Sequence, residues 1–511
     1  MAYKIPKEVL QVLSRLETGG FEAYLVGGCV RDLLLGRDPK DWDVTTNAVP
    51  EEIQKLTDDS FYENDFGTVG VITDSEDESV KVVEVTPYRQ EAKYTDKRHP
   101  DIVRFAQKLE DDLARRDFTI NAMALKVLEI AYIYSDNQKS VLETGEVDEK
   151  FIELVDLWKG REDLKKKVIQ TVGNAEERLS EDALRVLRAI RLAAELDFVT
   201  RESIDSQTRI AIKKSAHLLR MISKERIRDE FTKMLMSKNA EWALRKMHDL
   251  GVLRFVAPEL EEGVGVGQNK EHVFPVWDHN LKSLGHASEK NFNFAVRLAA
   301  LFHDVGKPRV KEGEGPDSTF YNHEVVGAKM TARILSRLRY SKKLVESVTL
   351  LVRWHLFFSD TDVITLSAVR RIITNVGEEN IWDLMNVRFC DRIGMGRPKE
   401  EPYRLRKYES MIEEALRDPL HVKNLKIKGD DAMKITGLSA GPKIGYILHA
   451  LLEEVLDDPS LNTEEYLRKR VKELSKLSEE ELIKLGRAGK ERREKEEQKE
   501  ISKIRTKYHV K

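Results

Sequence analysis

The hydrophobic pattern of the chain changes once, near residue 150, and this change constrains the fold more than any other feature. Before it, short β-prone runs alternate with turn and helix signals, at 23–26, 42–46, 68–73, 80–86 and 102–105. After it, apolar residues recur at the spacing of an α-helix. The pattern predicts an α+β protein, in which a small mixed β-sheet at the N-terminus is followed by all-helical regions.

The same pattern gives the expected domain boundaries. A Gly/Val segment at 263–267 has the composition of a linker, and the last residues are rich in Lys, Arg and Glu with little apolar content. We therefore expect a mixed head over 1–145, helical regions over 146–265, 270–400 and 401–470, and a charged helix or tail over 471–511.

Composition excludes several classes of protein. The 511 residues carry a net charge of −3, so any surface that binds nucleic acid must be local. The two cysteines, Cys29 and Cys390, exclude a disulfide framework and favour a cytoplasmic location. The N-terminus lacks the pattern of a secretion signal, and no apolar run reaches the roughly 20 residues of a membrane span. No obligate protein partner is indicated.

A possible phosphate and metal site lies in the head. Gly27 and Gly28 separate a predicted strand from a helix start, where backbone N–H groups can approach a triphosphate. Asp41 and Asp43 follow on the next predicted strand, and residues two apart on a strand share a face. Such a carboxylate pair can hold the Mg²⁺ ions of nucleotidyl transfer. Glu84 is a weaker third candidate, since a single outward Glu is usually only solvated.

The order of these residues and of four later motifs carries a family resemblance. Together they resemble the nucleotidyltransferase head and neck of class II tRNA nucleotidyltransferases and bacterial poly(A) polymerases. The resemblance implies Mg²⁺ at Asp41 and Asp43, and it covers residues 20 to 260. The motifs are 27–32 with 41–43, 115–122, 156–164, 181–185 with 188 and 191, and 225–231.

The resemblance also implies nucleotide-binding residues. Arg and Asn side chains suit a triphosphate and a ribose, and an Asp with an Arg one helical turn away can read one base edge. For the charged residues of 182–191 a surface salt-bridge ladder on one helix is the alternative. The implied residues are Gly27, Gly28, Arg31, Arg116, Asp117, Asn121, Asp182, Arg185, Arg188 and Arg191.

Histidines are concentrated in one part of the chain, since six of the twelve lie between positions 272 and 355. The adjacent pair His303-Asp304 ends an apolar helical run. With four further residues it resembles the ligand set of an HD-superfamily metal phosphohydrolase, which implies Mn²⁺, Ni²⁺, Fe²⁺, Co²⁺ or Mg²⁺. The alternative is a set of core histidines that are only hydrogen-bonded. The further residues are His279, His323, His355 and Asp391.

The resemblances imply an enzyme that adds CCA to the 3′ end of tRNA from CTP and ATP without a nucleic-acid template, with a second phosphohydrolase activity. The segment 88–101 resembles the family's flexible loop, which favours full or A-only addition over CC-only addition. Basic turns at 423–429 and 437–443 are predicted to contact tRNA phosphates. The alternatives are an A-adding enzyme or poly(A) polymerase, and an HD phosphohydrolase with a non-catalytic RNA-binding head.

Overall fold

The structure is a computed structural model that describes residues 2–62, 67–92, 102–128, 145–269, 272–356, 364–416, 424–483 and 485. The chain divides into two compact units, Met1–Pro258 and Glu259–Lys511. Residues 93–101 of the predicted flexible loop lie outside the described residues, as do Lys423 and most of the predicted charged tail.

All strands of the described residues lie in the first unit. Seven of them form one sheet in the order β11-β9-β2-β3-β6-β5-β4, and β1–β10 and β7–β8 are separate antiparallel pairs. The strands are β1 Ala2–Lys4, β2 Ala23–Val26, β3 Asp43–Thr46, β4 Ser60–Tyr62, β5 Val69–Ile72, β6 Val82–Pro87, β7 Arg89–Ala92, β8 Ile102–Phe105, β9 Ala124–Val127, β10 Glu146–Asp148 and β11 Ile152–Val155.

One pairing in the seven-stranded sheet is parallel. β3 runs parallel to β6, and every other neighbour in that sheet is antiparallel. Val44 of β3 and Val85 of β6 are paired and buried. The sheet is therefore mixed, as the sequence predicts, and its central strand β3 begins at Asp43, one of the two carboxylates of the predicted metal site.

The helices of the first unit cover this sheet and then continue without it. α1 buries Leu10, Leu13 and Leu16, which lie three residues apart and so share one face. The helices are α1 Lys7–Thr18, α2 Gly28–Leu34, α3 Pro50–Leu56, α4 Leu109–Ala114, α5 Gly160–Lys166, α6 Ala175–Glu181, α7 Arg185–Glu195, α8 Ser206–Ser215, α9 Lys224–Met236 and α10 Ala240–Asp249.

The described residues of the second unit contain helices and no strand longer than a single bridge. α12 is apolar almost throughout and is buried from Val296 to Phe302. The helices are α11 Val276–Glu289, α12 Phe294–Phe302, α13 Lys307–Val310, α14 His323–Arg337, α15 Lys342–Trp354, α16 Leu366–Val376, α17 Ile381–Gly394, α18 Tyr403–Ala415, α19 Gly429–Thr436, α20 Pro442–Asp457 and α21 Glu464–Leu474.

The predicted fold class is confirmed, with three local corrections. The region expected to be helical over 146–265 begins with the strands β10 and β11, because β11 pairs with β9 and continues the sheet of the head. The strand predicted over 42–46 begins at Asp43, so Asp41 lies in a bend before it. The helix predicted to carry both Asp182 and Arg185 is interrupted between α6 and α7. The corrections at Asp41 and at Asp182 fall on residues of the predicted metal and nucleotide sites.

Candidate active site and metal centre

Gly27 lies at the centre of the candidate site in the head. Its φ of 82° is in the left-handed region, which favours glycine. A Cβ atom at this position would lie 3.0 Å from Nη1 of Arg116 and 3.2 Å from Oδ2 of Asp43. The absence of a side chain therefore lets a guanidinium and a carboxylate both approach the turn between β2 and α2.

Three carboxylates are candidates for holding Mg²⁺ here. Asp43 is half-buried, and Glu84 is its register partner on the parallel strand β6, with an exposed side chain. Register partners point to the same face of a sheet, so Glu84 belongs beside Asp43. Asp41 is exposed in the bend before β3. Carboxylate oxygens are the hard ligands that Mg²⁺ takes, so these residues fit the ion.

Arg116 is fixed by a buried carboxylate. Asp112 is fully buried and accepts from Nη2 of Arg116 at 3.2 Å and from Nη2 of Arg115 at 2.7 Å. Burial acts to raise the pKa of Asp112, but the two guanidiniums outweigh it and the pKa is lowered. The Nε atom of Arg116 is buried without a hydrogen-bond partner among the described residues. Arg116 thus keeps donor capacity beside Gly27.

The other predicted triphosphate and ribose residues form one hydrogen-bonded chain. Nη1 of Arg31 donates to Oδ1 of Asn121 at 2.8 Å, and Nδ2 of Asn121 donates to Asp117 at 3.4 Å. Asp117 in turn accepts from Nε of Arg188 at 2.8 Å. Burial raises the pKa of Asp117, but Arg188 and Arg185 outweigh this effect and hold it at about 2. The charged carboxylate ties the head to α7.

The predicted base-selecting residues are arranged differently from the expectation. Asp182 has extended backbone between α6 and α7, and its Oδ1 accepts from the backbone N–H of Leu184 at 3.0 Å. Nη2 of Arg226 donates to Oδ2 of Asp182 at 2.7 Å. The prediction that Asp182 and Arg185 share one helix is therefore wrong. A short polar side chain at the break caps the following turn instead of continuing the helix.

The arginines of α7 also have partners within the protein. Nη1 of Arg185 donates to Glu181 at 2.6 Å and to the carbonyl of Arg178 at 2.9 Å. Arg191 pairs with Glu195 at 2.9 Å and with Glu230 at 2.7 Å. The salt-bridge alternative thus describes these contacts. Whether Asp182 and Arg185 also read a base stays a prediction.

The second unit brings the predicted metal ligands together from separate helices. His279 lies on α11, the His303-Asp304 pair follows α12, His323 begins α14, His355 follows α15 and Asp391 lies on α17. None of the six exposes more than 5% of its surface. These six residues are called the HD centre below.

The HD centre contains two positions suited to a cation. At the first position, Nε2 of His279 lies 2.7 Å from Nε2 of His303, 3.1 Å from Oδ2 of Asp304 and 3.3 Å from Oδ1 of Asp391. At the second, Oδ1 of Asp304 lies 3.2 Å from Nε2 of His323 and 3.6 Å from Nε2 of His355. Asp304 contributes one oxygen to each position and so bridges them.

Hydrogen bonds on the far side of three rings fix their orientation. Nδ1 of His303 lies 2.9 Å from the carbonyl of Ala300, and the Nδ1 atoms of His323 and His355 each lie 2.7 Å from the carbonyl three residues earlier. With Nδ1 as the donor and the ring neutral, each Nε2 presents a lone pair to the centre. This outer bonding is typical of metal-binding histidines.

The carboxylates of the centre favour a positive charge at its first position. Burial acts to lower the pKa of His303, but Asp304 and Asp391 outweigh it and raise the pKa to about 10. Burial lowers the pKa of His355 to about 4, with His303 and His323 adding to the effect. Nε2 of His323 and of His355 makes no hydrogen bond of good geometry among the described residues. Imidazole and carboxylate groups in this arrangement fit divalent metal ions, including Mn²⁺, Ni²⁺, Fe²⁺ and Co²⁺.

Two close approaches position the centre. Nζ of Lys307 lies 2.6 Å from Oδ2 of Asp304, so an ammonium group meets the bridging carboxylate. Gly306 packs on α14, where a Cβ atom would lie 2.3 Å from the carbonyl oxygen of His323 and 2.6 Å from the backbone N of Gly327. Residue 306 therefore has no room for a side chain.

Sequence reasoning missed three residues at these sites. Arg226 holds Asp182 from 44 positions away, and Lys307 follows the His-Asp pair closely without having been assigned. His272 joins His279 and Asp391 in a group whose ligand atoms lie within 4.8 Å of one another. Among the described residues, groups of three or more such ligands all lie in the second unit. His272 is one of the six histidines between positions 272 and 355, but no motif in the sequence distinguished it from the others.

Three family models match successive parts of the chain. The poly A polymerase head domain matches residues 23–170. The model described as a probable RNA and SrmB-binding site of polymerase A matches residues 203–263. The HD domain matches residues 276–405.

A near-full-length relative decides the family. The CC-adding tRNA nucleotidyltransferase of Thermus thermophilus is 31% identical over 454 residues, which cover 84% of this chain and 89% of that protein. The chain belongs to the tRNA nucleotidyltransferase family. A CCA-adding enzyme of Lactococcus lactis is 41% identical over 265 residues, which are 51% of this chain. The chain spans 58% of the length of that relative, and 52% of the similar one from Lactobacillus delbrueckii.

The fold of this tRNA nucleotidyltransferase family member matches solved structures. The Bacillus stearothermophilus CCA-adding enzyme in complex with CTP aligns with a TM-score of 0.65 at 24% identity, over 92% of this chain and 97% of that chain. This likeness supports the α+β architecture. None of the described helices has the length and apolarity to cross a membrane.

Proposed function

We propose that the protein adds CCA to the 3′ end of tRNA from CTP and ATP without a nucleic-acid template. The observation that carries this proposal is the approach of both Asp43 and Arg116 to Gly27, together with the hydrogen-bonded chain Arg31–Asn121–Asp117. A carboxylate near a guanidinium supports a site that holds both a metal ion and phosphate groups. The membership of the tRNA nucleotidyltransferase family supports tRNA as the acceptor.

The residues of the head divide the work of nucleotidyl transfer. Asp41 and Asp43 would hold Mg²⁺, which when bound lowers the cost of the charge that develops on the transferring phosphoryl group. Arg116 is held by Asp112 and donates toward phosphate oxygens over Gly27. Asn121, fixed between Arg31 and Asp117, supplies an amide for the ribose or phosphate. Positioning and electrostatics account for catalysis of this kind.

Base selection is assigned to Asp182 and Arg185. A carboxylate accepts from the amino group shared by cytosine and adenine, and a guanidinium donates to their acceptor atoms. Arg226 orients Asp182 through two of its N–H groups, at 2.7 and 3.4 Å. Uracil and guanine would place a carbonyl against the carboxylate, and such a buried mismatch is costly.

The decisive experiment is a product-length assay. Purified protein is incubated with tRNA that lacks its last three nucleotides, labelled CTP or ATP and Mg²⁺. Full CCA addition gives three added nucleotides and needs both triphosphates. Addition that stops after two C residues would match the activity in the name of the Thermus thermophilus relative. A long A tail would indicate a poly(A) polymerase, and no incorporation would refute the proposal.

We also propose that the helical part of the second unit binds tRNA by recognising its shape and its phosphate groups. Lys426 and Lys428 precede α19, and Lys443 lies in the first turn of α20. Phosphate contacts make affinity fall steeply as salt rises. Filter binding of tRNA between low and physiological salt tests this, and a flat affinity would contradict it.

The cysteines bear on the location of the protein. Cys29 and Cys390 are buried free thiols, which supports a cytoplasmic location.

The HD centre supports a second, metal-dependent phosphohydrolase activity. Its bridged pair of positions is suited to activating a water molecule and holding a phosphoester oxygen. The substrate class proposed is the 2′,3′-cyclic phosphate of damaged RNA ends. Release of phosphate or opening of the cyclic ester, with Ni²⁺ or Mn²⁺ added, tests the activity. If the protein binds metal at the HD centre but hydrolyses no phosphoester, the proposed second activity is wrong.

A further inference from the structure

His272 lies beside the first position of the HD centre, outside the six residues of the expected ligand set. It precedes α11 by four residues and is half-buried. Its ligand atom lies within 4.8 Å of those of His279 and Asp391. The centroids of the His272 and His279 rings are 5.1 Å apart. Two ligands on opposite sides of one transition-metal ion are about 4.2 Å apart, so a small movement brings His272 into range.

Two contacts fix the tautomer of this ring. Nδ1 of His272 lies 3.0 Å from Oδ1 of Asn269, and Nε2 lies 3.3 Å from Nζ of Lys307. An ammonium group can only donate, so Nε2 must be the atom that carries the lone pair. Nδ1 then carries the proton and donates it to Asn269. The lone pair that a metal ion would use is already directed toward a cation.

The same arrangement is found at three ligands of the HD centre. His303, His323 and His355 each use Nδ1 to bond an acceptor three residues earlier and turn Nε2 inward. His272 bonds a side-chain acceptor three residues earlier and also faces the centre. The local bond alone does not make a ligand, since the exposed His217 bonds the carbonyl of Lys214 in the same way. The convergence on the centre separates His272 from His217.

We infer that His272 is a fifth protein ligand of the first metal position, beside His279, His303, Asp304 and Asp391. The second position keeps three ligands, Asp304, His323 and His355. The two positions are therefore unequal: the first is filled mainly by protein atoms, and the second keeps open places for water and a phosphoester oxygen. This inference rests on the proposed metal binding at the HD centre.

Metal binding itself, rather than hydrolysis, tests the inference. Full-length protein that carries Asp41→Ala and Asp43→Ala, to silence the head, is freed of metal and titrated with Co²⁺. The readouts are bound Co²⁺ per chain, the affinity of each site and the visible absorption of the ion. We expect two bound ions. In His272→Ala we expect one site weakened at least about tenfold, as even outer-shell changes cause, with an altered spectrum.

Two matched histidines serve as controls. His286→Ala removes a buried histidine of α11 that bonds Glu400, and His217→Ala removes the same local bond away from any cluster. Both should leave Co²⁺ affinity and spectrum unchanged. In His272→Gly, added imidazole should restore the wild-type spectrum, which a merely structural role would not produce. Two ions bound by His272→Ala with wild-type affinity and spectrum would overturn the inference. Fewer than two ions in the parent protein would overturn the bridged centre itself.

Discussion

In the head, the carboxylates proposed to hold Mg²⁺ lie at or near the surface, and two buried carboxylates, Asp112 and Asp117, are each paired with arginine. In the HD centre, the ligands themselves are buried and face one another. In the head, buried carboxylates thus orient arginines, whose remaining donors can bind phosphate. In the HD centre, buried carboxylate and imidazole atoms instead face one another and can bind cations. From this difference we expect Mg²⁺ to reach the head together with a triphosphate, and the HD centre to hold metal without substrate.

Removing one carboxylate from each site should separate the two functions. Asp43→Ala should lower nucleotide incorporation by about a hundredfold or more, because a metal ligand at the reacting phosphate is lost. Metal bound at the HD centre should not change. Asp304→Asn should do the reverse, with both metal positions lost because Asp304 bridges them.

Incorporation of CTP and Co²⁺ content are measured in both variants. Asp38→Ala is the matched control for the head, since it changes an exposed Asp between α2 and β3. Loss of both functions in either folded variant would show that the two sites depend on each other.

A second change concerns selectivity, which only the head should possess. Asp182→Ala should reduce the ratio of kcat/KM for CTP over UTP by about a hundredfold, because the acceptor for the amino group is gone. Arg226→Ala should reduce it less, since the carboxylate remains but loses its bidentate partner. Hydrolysis at the HD centre should be unaffected. If Asp182 serves only the salt bridge and the turn, the ratio stays at the wild-type value.

Metal should stabilise the two units unequally. An ion present at one hundred times its Kd stabilises the state that binds it by about 2.7 kcal/mol. In the absence of triphosphate we expect slower hydrogen exchange in α11, α12 and α14 and no change in β2 and β3. Asp304→Asn should abolish the effect. Equal protection of both units would contradict the contrast between a preassembled centre and an open one.

The smallest expected effect is on the acid stability of the head. The pKa of Asp117 is held at about 2, below its usual range, so its ion pair with Arg188 stabilises the fold above about pH 4. Asp117→Asn should cost about 2 kcal/mol at pH 6, and the cost should vanish as the pH falls toward 2. Urea unfolding of the first unit at several pH values measures this. A cost that does not vary with pH would mean that the pair is not the cause.

The sequence predicted most of what depends on local pattern. The bounds of β2 and β8 agree with the β-prone runs at 23–26 and 102–105. The helical spacing matches the helices that follow from Gly160 onward, whereas β11 at Ile152–Val155 still belongs to the sheet. The six residues of the HD centre were expected and lie together. Their order along the chain carried that information through the family resemblance.

What the sequence did not predict depends on distant partners. Spacing alone allowed Asp182 and Arg185 to share a helix, but the break between them is held by Arg226, which lies on another helix. The place of Glu84 beside Asp43 follows from the parallel pairing of β3 with β6, which no single strand reveals. His272 approaches the HD centre from a loop, and loop geometry is not encoded in a periodic pattern.

The tight packing of Gly306 on α14 limits how this protein can change over generations. A methyl group there would collide with the carbonyl of His323 and displace that ligand from Asp304. The close packing at Gly306, which leaves no room for a Cβ atom, therefore helps to hold His323 beside Asp304. Any substitution of Gly306 adds at least a methyl group, because no amino acid lies between glycine and alanine in size. One mutation at this position can therefore abolish the centre in evolution, but none can change the position of His323 gradually.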